Sequence, residues 1–327
     1  MKLLWLDLNS SYAHSSLALP ALHAQIADDT TIEWCIVSAT INENTGMVVS
    51  RIHKHRPDII AATNWLFNHE QLLHIISRAK ALLPHCCIVL GGPEFLGNNE
   101  AFLYKNKFVS GVFRGEGEEV FPQWLKVWNH SKETWKSITG LCYLDENGRY
   151  QDNGIARVMN FSQLVSPEKS CFFNWSKPFV QLETTRGCFN TCAFCVSGGE
   201  KPVRTIPLEA IRERLNDIHQ HGIKNVRVLD RTFNYNNKRA KELLDLFRQY
   251  PDICFHLEIH PALLSEELKQ ELSVLPKGLL HLEAGIQSLK ESVLQQSRRI
   301  GKLSDALEGL KYLCSLKNME THADLIA

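Results

Sequence analysis

The chain has 327 residues, 44% hydrophobic and 22% charged, and its 36 basic residues balance its 36 acidic residues. This composition is ordinary for a globular protein of about two domains, and it excludes wholesale disorder, a collagen-like repeat and a small disulfide-rich scaffold. The neutral balance gives no overall basic field for nucleic acid, and we find neither a signal peptide nor a membrane-spanning run, so we expect a cytoplasmic protein with no membrane partner.

The first half alternates short apolar runs with stretches of helical periodicity. The apolar runs predict strands at 2–8, 31–39, 57–65, 85–93 and 108–120. The periodic stretches predict helices at 17–26, 48–55 and 71–83. Strands joined by helix-length crossovers form a parallel sheet. Residues 1–138 are therefore predicted to form a doubly wound, Rossmann-like α/β domain.

Two glycine-containing motifs follow predicted strands of this domain. Gly91 and Gly92 end the fourth strand, and Gly115 and Glu116 follow the fifth. Glycine at such a position allows a tight turn or a close approach to a ligand, and loops at the carboxyl ends of parallel strands form a ligand crevice. A plain tight turn explains either motif equally well. Neither matches the pattern G-x-G-x-x-G, so no dinucleotide site is predicted.

Residues 139–176 are predicted to form a connector that begins with a β-hairpin, because GLCYLDENGRY places an Asn-Gly turn inside an alternating run. Residues 177–327 again alternate strands and helices. This alternation predicts a partial (β/α) barrel whose chemistry lies at the carboxyl ends of its strands. We predict the strands of this second domain at 178–187, 224–234, 252–261, 278–288 and 321–327.

Cys188, Cys192 and Cys195 form a CxxxCxxC motif directly after the first of these strands. Thiolates are soft ligands that suit zinc, copper(I) and iron–sulfur clusters. Structural zinc takes four ligands, whereas the next cysteine along the chain is Cys254. Three thiolates on a 4Fe–4S cluster would leave one iron open to an outside ligand. A zinc site, or three buried cysteines without metal, remains the alternative.

The segment TTRGCFNTCAFC resembles the signature of radical SAM enzymes. The resemblance implies a 4Fe–4S cluster on the three cysteines that cleaves S-adenosylmethionine reductively to a 5′-deoxyadenosyl radical, with electrons from an external donor such as flavodoxin or ferredoxin. It also implies that Phe194 lies against the adenine. Asp230 after the second strand and LEAGIQS in the fourth extend the resemblance, which implies that Asp230, Glu258 and Gln287 contact S-adenosylmethionine. No catalytic residue is assigned.

The first half resembles the cobalamin-binding domain that precedes the barrel in one subclass of radical SAM enzymes. RPDIIAATNW, IVLGGPE and VFRGEGEEVFPQW carry this resemblance. It implies a bound cobalamin, with Gly91, Gly92, Gly115 and Glu116 at the cofactor. The D-x-H-x-x-G motif that supplies an axial histidine in some cobalamin proteins is absent. His14 is the nearest candidate, although an ordinary loop histidine explains it as well.

The function implied is that of a radical SAM enzyme that depends on cobalamin, with methyl transfer as one outcome. Two alternatives stay open: a radical SAM enzyme without cobalamin, of the methylthiotransferase or rearrangement type, and a non-catalytic iron–sulfur or zinc module. The substrate, a small molecule or a peptide, is not identified. The family's fifth strand normally runs on into a sixth, whereas the sequence stops at Ala327, so we expect a barrel truncated in its fifth strand.

Overall fold

A computed structural model describes residues 1–198 and 200–326, so Ala327, where we expect the truncation, lies outside the described residues. The chain divides into two compact units, 1–174 and a second that begins at Trp175. No helix in the described part is long and apolar enough to cross a membrane. The two units are considered separately below.

The first unit contains a seven-stranded sheet in the order β2-β1-β3-β4-β5-β6-β7. Its strands are β1 (Lys2–Asn9), β2 (Glu33–Thr40), β3 (Ile59–Thr63), β4 (Cys87–Gly91), β5 (Gly111–Phe113), β6 (Leu141–Leu144) and β7 (Tyr150–Asp152). Its helices are α1 (Ala18–Ala24), α2 (Thr45–His55), α3 (His69–Leu82), α4 (Glu100–Lys105) and α5 (Val120–Leu125). The first five strands are parallel, which confirms the predicted doubly wound α/β class.

Strand β1 lies between β2 and β3, and leucine and tryptophan occupy most of its length without alternation because helices cover both faces of the sheet. Leu4 packs into one core cluster together with Ile52 of α2 and Ile75 of α3. Leu3 faces the other way, into a cluster that contains Trp124 of α5. The run KLLWLDL therefore lacks alternation because side chains on both faces of β1 are buried. Burial on both faces is typical of a strand in a parallel sheet.

The hairpin that we assigned to the connector extends the first sheet instead of standing apart from it. Strand β6 pairs antiparallel with β5, and β7 pairs antiparallel with β6. The Asn153 side chain donates hydrogen bonds to the carbonyl oxygens of Trp135 and Ile138, at 2.7 and 2.9 Å. These bonds fix the end of the hairpin against the same unit.

The second unit contains a five-stranded, all-parallel sheet in the order β14-β13-β12-β11-β8. The strands of this unit are β8 (Val180–Leu182), β9 (Thr185–Arg186), β10 (Arg204–Thr205), β11 (Asn225–Val228), β12 (Cys254–Ile259), β13 (Leu280–Gln287) and β14 (Glu320–Leu325). Strands β9 and β10 form a separate, short antiparallel pair. Its helices are α6 (Leu208–Gln220), α7 (Asn237–Phe247), α8 (Glu266–Ser273), α9 (Glu291–Gln296) and α10 (Leu303–Ser315). This open sheet with interleaved helices agrees with the predicted partial barrel.

The central strands of this second sheet have one apolar and one polar face. Along β13, Leu280, Leu282, Ala284 and Ile286 are buried, while the residues between them are partly exposed. Strand β12 alternates in the same way. Because successive side chains of a strand point to opposite faces, the residues between the buried ones share one polar face.

Gly115 provides a test of packing in the first unit. Its φ is +103°, and a Cβ there would lie 2.2 Å from the carbonyl oxygen of Ala156. Gly148 has a φ of +74° but open space around it. We expect Gly148→Ala to lower the free energy of unfolding by about 1–2 kcal/mol through backbone strain alone. Gly115→Ala should cost about 1–3 kcal/mol more through overpacking. Urea unfolding of both variants measures the difference, and equal losses would contradict this packing role.

Candidate functional site

The cysteine loop, residues 187–198, follows the short strand β9, and several hydrogen bonds hold it. The Cys188 amide donates to the Glu200 carbonyl at 2.9 Å, and the Ala193 amide donates to the Ser297 carbonyl at 2.9 Å. The Asn190 side chain accepts a hydrogen bond from the Ile300 amide at 3.1 Å. The loop is therefore tied to the segment that follows α9.

The three cysteines of this loop differ in exposure. Cys188 and Cys192 are buried, whereas Cys195 is exposed. Burial raises the pKa of the Cys188 thiol above its ordinary value, and the neighbouring Cys195 and Cys192 add to the rise. The thiols are thus close enough to interact electrostatically, with one side of the group open to solvent.

The number of the thiols fits an iron–sulfur cluster better than one structural zinc ion. A structural zinc takes four ligands in a tetrahedron. Iron–sulfur clusters are held by cysteine thiolates, and the loop supplies three. The residues present therefore fit a cluster with three protein ligands.

Asp230, which we expected to contact S-adenosylmethionine, lies behind the start of the cysteine loop. One carboxylate oxygen accepts hydrogen bonds from the amides of Thr184 and Thr185, at 2.8 and 2.9 Å, and the other accepts one from the Thr184 hydroxyl. Burial raises the pKa of Asp230, and these hydrogen bonds oppose the rise. The side chain thus fixes the turn before Cys188, and its contact with S-adenosylmethionine stays a prediction.

A polar pocket opens at the carboxyl ends of β12 and β13. Both Glu258 and Gln287 line it, as do Glu283 and Asp324. Burial raises the pKa of Glu258 to about 7, although the charge of Arg231 opposes the rise. Glu258 is therefore balanced between its neutral and ionised forms near neutral pH.

The end of β13 directs Gln287 into this pocket. Gln287 has a φ of +71°, and the pairing with β14 shifts register between Gly285 and Gln287. A Cβ on Gly285 would lie 2.5 Å from the Gln287 side-chain nitrogen. The irregularity redirects a side chain, as β-bulges next to functional sites do, and glycine leaves the room that the amide needs.

Arg231, His260 and Arg299 also line the pocket. Arg299 donates a hydrogen bond to the Gly285 carbonyl at 2.5 Å. Burial, with the Arg299 charge, lowers the pKa of His260 to about 4. Both ring nitrogens of His260 are buried, and a backbone hydrogen bond with Ile300 opposes the fall in its pKa. A neutral imidazole is thus available to a ligand in the pocket, but no spacing in the sequence signalled it.

Phe194, which we expected to lie against adenine, is 47% exposed between Cys192 and Cys195. An aromatic ring exposed beside the thiols is available for stacking on a planar group. The structure contains no ligand that tests the contact, so it stays a prediction.

In the first unit, the four residues expected at cobalamin have contacts within the chain. A Cβ on Gly92 would lie 2.5 Å from the Asn64 carbonyl oxygen, and the Gly91 carbonyl accepts a hydrogen bond from the Asn64 amide at 2.7 Å. Gly115 bridges to Ala156, and Glu116 accepts from the Val158 amide at 2.7 Å. These contacts shape the loops at the carboxyl ends of the strands. Direct contact with a cofactor stays a prediction for all four.

The carboxyl edge of this first sheet carries exposed apolar side chains. Tyr12 follows β1, while Leu66 and Phe67 follow β3, and all three are exposed. Strand β1 lies between β2 and β3, so these loops flank the point where the strand order reverses, the usual ligand site of such sheets. His14 lies in the same β1 loop, where its Nδ1 is 2.8 Å from the Ser11 hydroxyl. The edge suits a large, partly apolar ligand.

The hydrogen bonds of Asp230 can be tested by two substitutions. Asp230→Ala leaves two buried amides of the turn without an acceptor, so we expect the free energy of unfolding to fall by about 3–5 kcal/mol. Asp230→Asn keeps one oxygen for both amides and should cost less than about 2 kcal/mol. Urea unfolding measures both variants, and an Asn variant as unstable as the Ala variant would show that charge, not hydrogen bonding, holds the turn.

Comparison with known protein families agrees with both halves of this description. The family model of the Radical SAM superfamily matches residues 182–322, and that of the B12 binding domain matches residues 8–125. The first match covers the cysteine loop and every residue of the polar pocket except Asp324. The second covers strands β2 to β5 and the loops that carry the exposed apolar edge.

Individual relatives are distant and longer than this chain. It is 29% identical to "Uncharacterized methyltransferase PH0819" of Pyrococcus horikoshii over 201 aligned residues. The aligned region covers 59% of this chain and 43% of that protein. It is 24% identical over 275 residues to "Hopanoid C-3 methylase" of Methylococcus capsulatus, which covers 80% of this chain and 51% of that protein. The chain thus spans about half the length of these relatives.

Solved structures share the fold over nearly the whole chain. The cobalamin-dependent S-adenosylmethionine radical enzyme OxsB, with aqua-cobalamin and S-adenosylmethionine bound, has a TM-score of 0.79 at 17% identity and covers 99% of this chain and 49% of its own. The radical S-adenosylmethionine methyltransferase TsrM from Kitasatospora setae has a TM-score of 0.76 at 16% identity, with 99% and 69% covered. The chain thus contains a region that matches the radical SAM superfamily and, ahead of it, a region that matches the B12 binding domain.

Proposed function

We propose that the protein is part or all of a cobalamin-dependent radical SAM enzyme, and that its reaction is a methyl transfer. The observation that carries the proposal is the CxxxCxxC loop, whose three thiols are grouped, partly open and beside a polar pocket of the same unit. The relatives named above as methyltransferases support the class of reaction. Their names identify no substrate for this chain.

In this proposal, Cys188, Cys192 and Cys195 hold the cluster, and the exposed ring of Phe194 stacks on adenine. Glu258 and Gln287 bind the amine and hydroxyl groups of S-adenosylmethionine, because amide and carboxylate oxygens at a pocket edge suit such donors. When bound, the cluster supplies the electron that cleaves the sulfonium, and cobalamin supplies a methyl carrier. Asp230 acts by positioning the turn before Cys188.

The supply of electrons and the location of the protein also belong to this proposal. Radical SAM chemistry needs an external reductant, for which flavodoxin or ferredoxin is the proposed donor. All ten cysteines are free, as expected of a protein in a reducing compartment such as the cytoplasm. The substrate remains a small molecule or a peptide of unknown identity.

The cluster assignment is tested by one substitution in the full chain. After anaerobic reconstitution with iron and sulfide, Cys192→Ala should lose the bound iron and the reductive cleavage of S-adenosylmethionine to 5′-deoxyadenosine. Cys314→Ala, which changes an exposed cysteine of α10, is the matched control and should retain both. Iron analysis and chromatography of the nucleoside provide the readouts. If Cys192→Ala still cleaves S-adenosylmethionine, the assignment of the cluster to this loop is wrong.

Cobalamin binding is tested separately by equilibrium dialysis of the full chain with hydroxocobalamin. We expect binding that Leu66→Glu weakens about tenfold or more, because a charge at the exposed apolar edge would have to be desolvated by the cofactor. Leu82→Glu, at an exposed leucine near the end of α3, should leave the affinity unchanged. If the folded chain does not bind hydroxocobalamin while the cluster test succeeds, the radical SAM enzyme without cobalamin replaces this proposal.

A further inference from the structure

Three histidines and one glutamate meet on the polar face of the second sheet. This histidine cluster consists of His256 on β12, His281 and Glu283 on β13, and His322 on β14. His256 pairs in register with His281, and Glu283 pairs with His322. The alternation along β13 places these side chains on the same face as the polar pocket, of which Glu283 is part. None of the three histidines has a role in the proposed radical SAM reaction.

Three residues of this cluster bring possible metal-ligand atoms close together. The Nε2 atom of His256 is 3.0 Å from the Glu283 carboxylate oxygen Oε2, and the Nε2 atom of His322 is 3.6 Å from the same oxygen. In the described part of the chain, His256, Glu283 and His322 bring three ligand atoms within 4.8 Å of one another. With metal–ligand bonds of about 2.0–2.1 Å, a tetrahedral site spaces its donors about 3.3 Å apart. The observed distances bracket that value.

His281 orients the ring of His322. Its Nε2 lies 2.9 Å from Nδ1 of His322, and the two rings meet edge to face with centroids 4.9 Å apart. A hydrogen bond at Nδ1 fixes the ring and leaves Nε2 of His322 directed at Glu283. Histidines that bind metals are usually held in this way by a partner at the other ring nitrogen.

The types of donor in the cluster suit a transition-series cation. Glu283 contacts Asp324, and Glu258 adds a third carboxyl group on the same face of the sheet. Arg231 and Arg299 are the basic residues that line the adjoining pocket. Three carboxyl groups thus face two guanidinium groups beside the histidines. Imidazole and carboxylate donors suit zinc and its neighbours in the transition series, whereas magnesium and calcium prefer oxygen donors alone.

We propose that His256, Glu283 and His322 bind a divalent zinc-class cation, with His281 as the positioning residue. Three protein ligands leave one coordination position for water or for an oxygen of a molecule in the pocket, as in catalytic zinc sites. The site is separate from the cysteine loop, because its donors lie on three strands and include no thiolate. The cation would also link β14 to the two strands before it.

The probe is Zn²⁺, added to the full chain after its iron–sulfur cluster has been reconstituted anaerobically, so that the three thiols are already occupied. We expect one equivalent of zinc to remain after dialysis. X-ray absorption at the zinc edge should show nitrogen and oxygen neighbours at about 2.0–2.1 Å and no sulfur at about 2.3 Å. Sulfur ligation of the zinc, or no zinc retained, would overturn the proposal.

Three variants test two of the ligands and the positioning residue. Glu283→Gln keeps the shape of the side chain and His256→Ala removes one imidazole, so each should weaken zinc binding by about 100-fold or more. His281→Ala removes only the orienting contact and should weaken it by about 10–100-fold. His74→Ala, on α3 of the first unit, is the matched control. Circular dichroism verifies that each variant is folded, and zinc affinity unchanged in a folded Glu283→Gln variant would refute the site.

Discussion

The candidate site depends on the hydrogen bonds that the Asp230 carboxylate accepts. It accepts hydrogen bonds from the Thr184 and Thr185 amides at the point where the chain leaves β8 and enters the cysteine loop. A buried carboxylate is costly unless it is hydrogen-bonded, and these amides need a buried acceptor, so each partner depends on the other. Asp230 follows β11, which pairs with β8 in the sheet. Its hydrogen bonds therefore fix the position of the cysteine loop relative to these two strands.

The sequence predicted the fold well where burial determines the pattern. KLLWLDL is mostly apolar because helices cover both faces of β1, and the regular alternation of strands and helices indicated both sheets. Helix α4 (Glu100–Lys105) was missed because six residues are too few to show helical periodicity. The hairpin was recognised from its Asn-Gly turn, but its pairing with β5 could not be predicted, because the turn determines only local register.

The candidate site could be predicted less completely, for a physical reason. The cysteine spacing is a local signal, so Cys188, Cys192 and Cys195 could be assigned from the sequence alone. The pocket is instead formed by residues at strand ends that lie far apart in the chain. Which of these side chains are buried and which point into the pocket depends on the fold. The hydrogen bonds that Asp230 accepts from the turn could not be predicted from the sequence, and its contact with a ligand stays a prediction. His260 was overlooked because a histidine before a proline carries no signal until the fold buries it.

The second unit contains two different sets of possible metal ligands, one local in sequence and one brought together by the sheet. Soft thiolates are concentrated in one short loop, where backbone bonds such as that from Ala193 to Ser297 hold them. Imidazole and carboxylate donors are distributed over β12, β13 and β14 and meet only through the strand register. A shift of one residue in that register would move His322 to the other face and dissolve the histidine cluster. The loop depends instead on the pairing of β8 with β11, through Asp230, and on its bond to Ser297, so a shift in the register of β14 would affect the histidine cluster first.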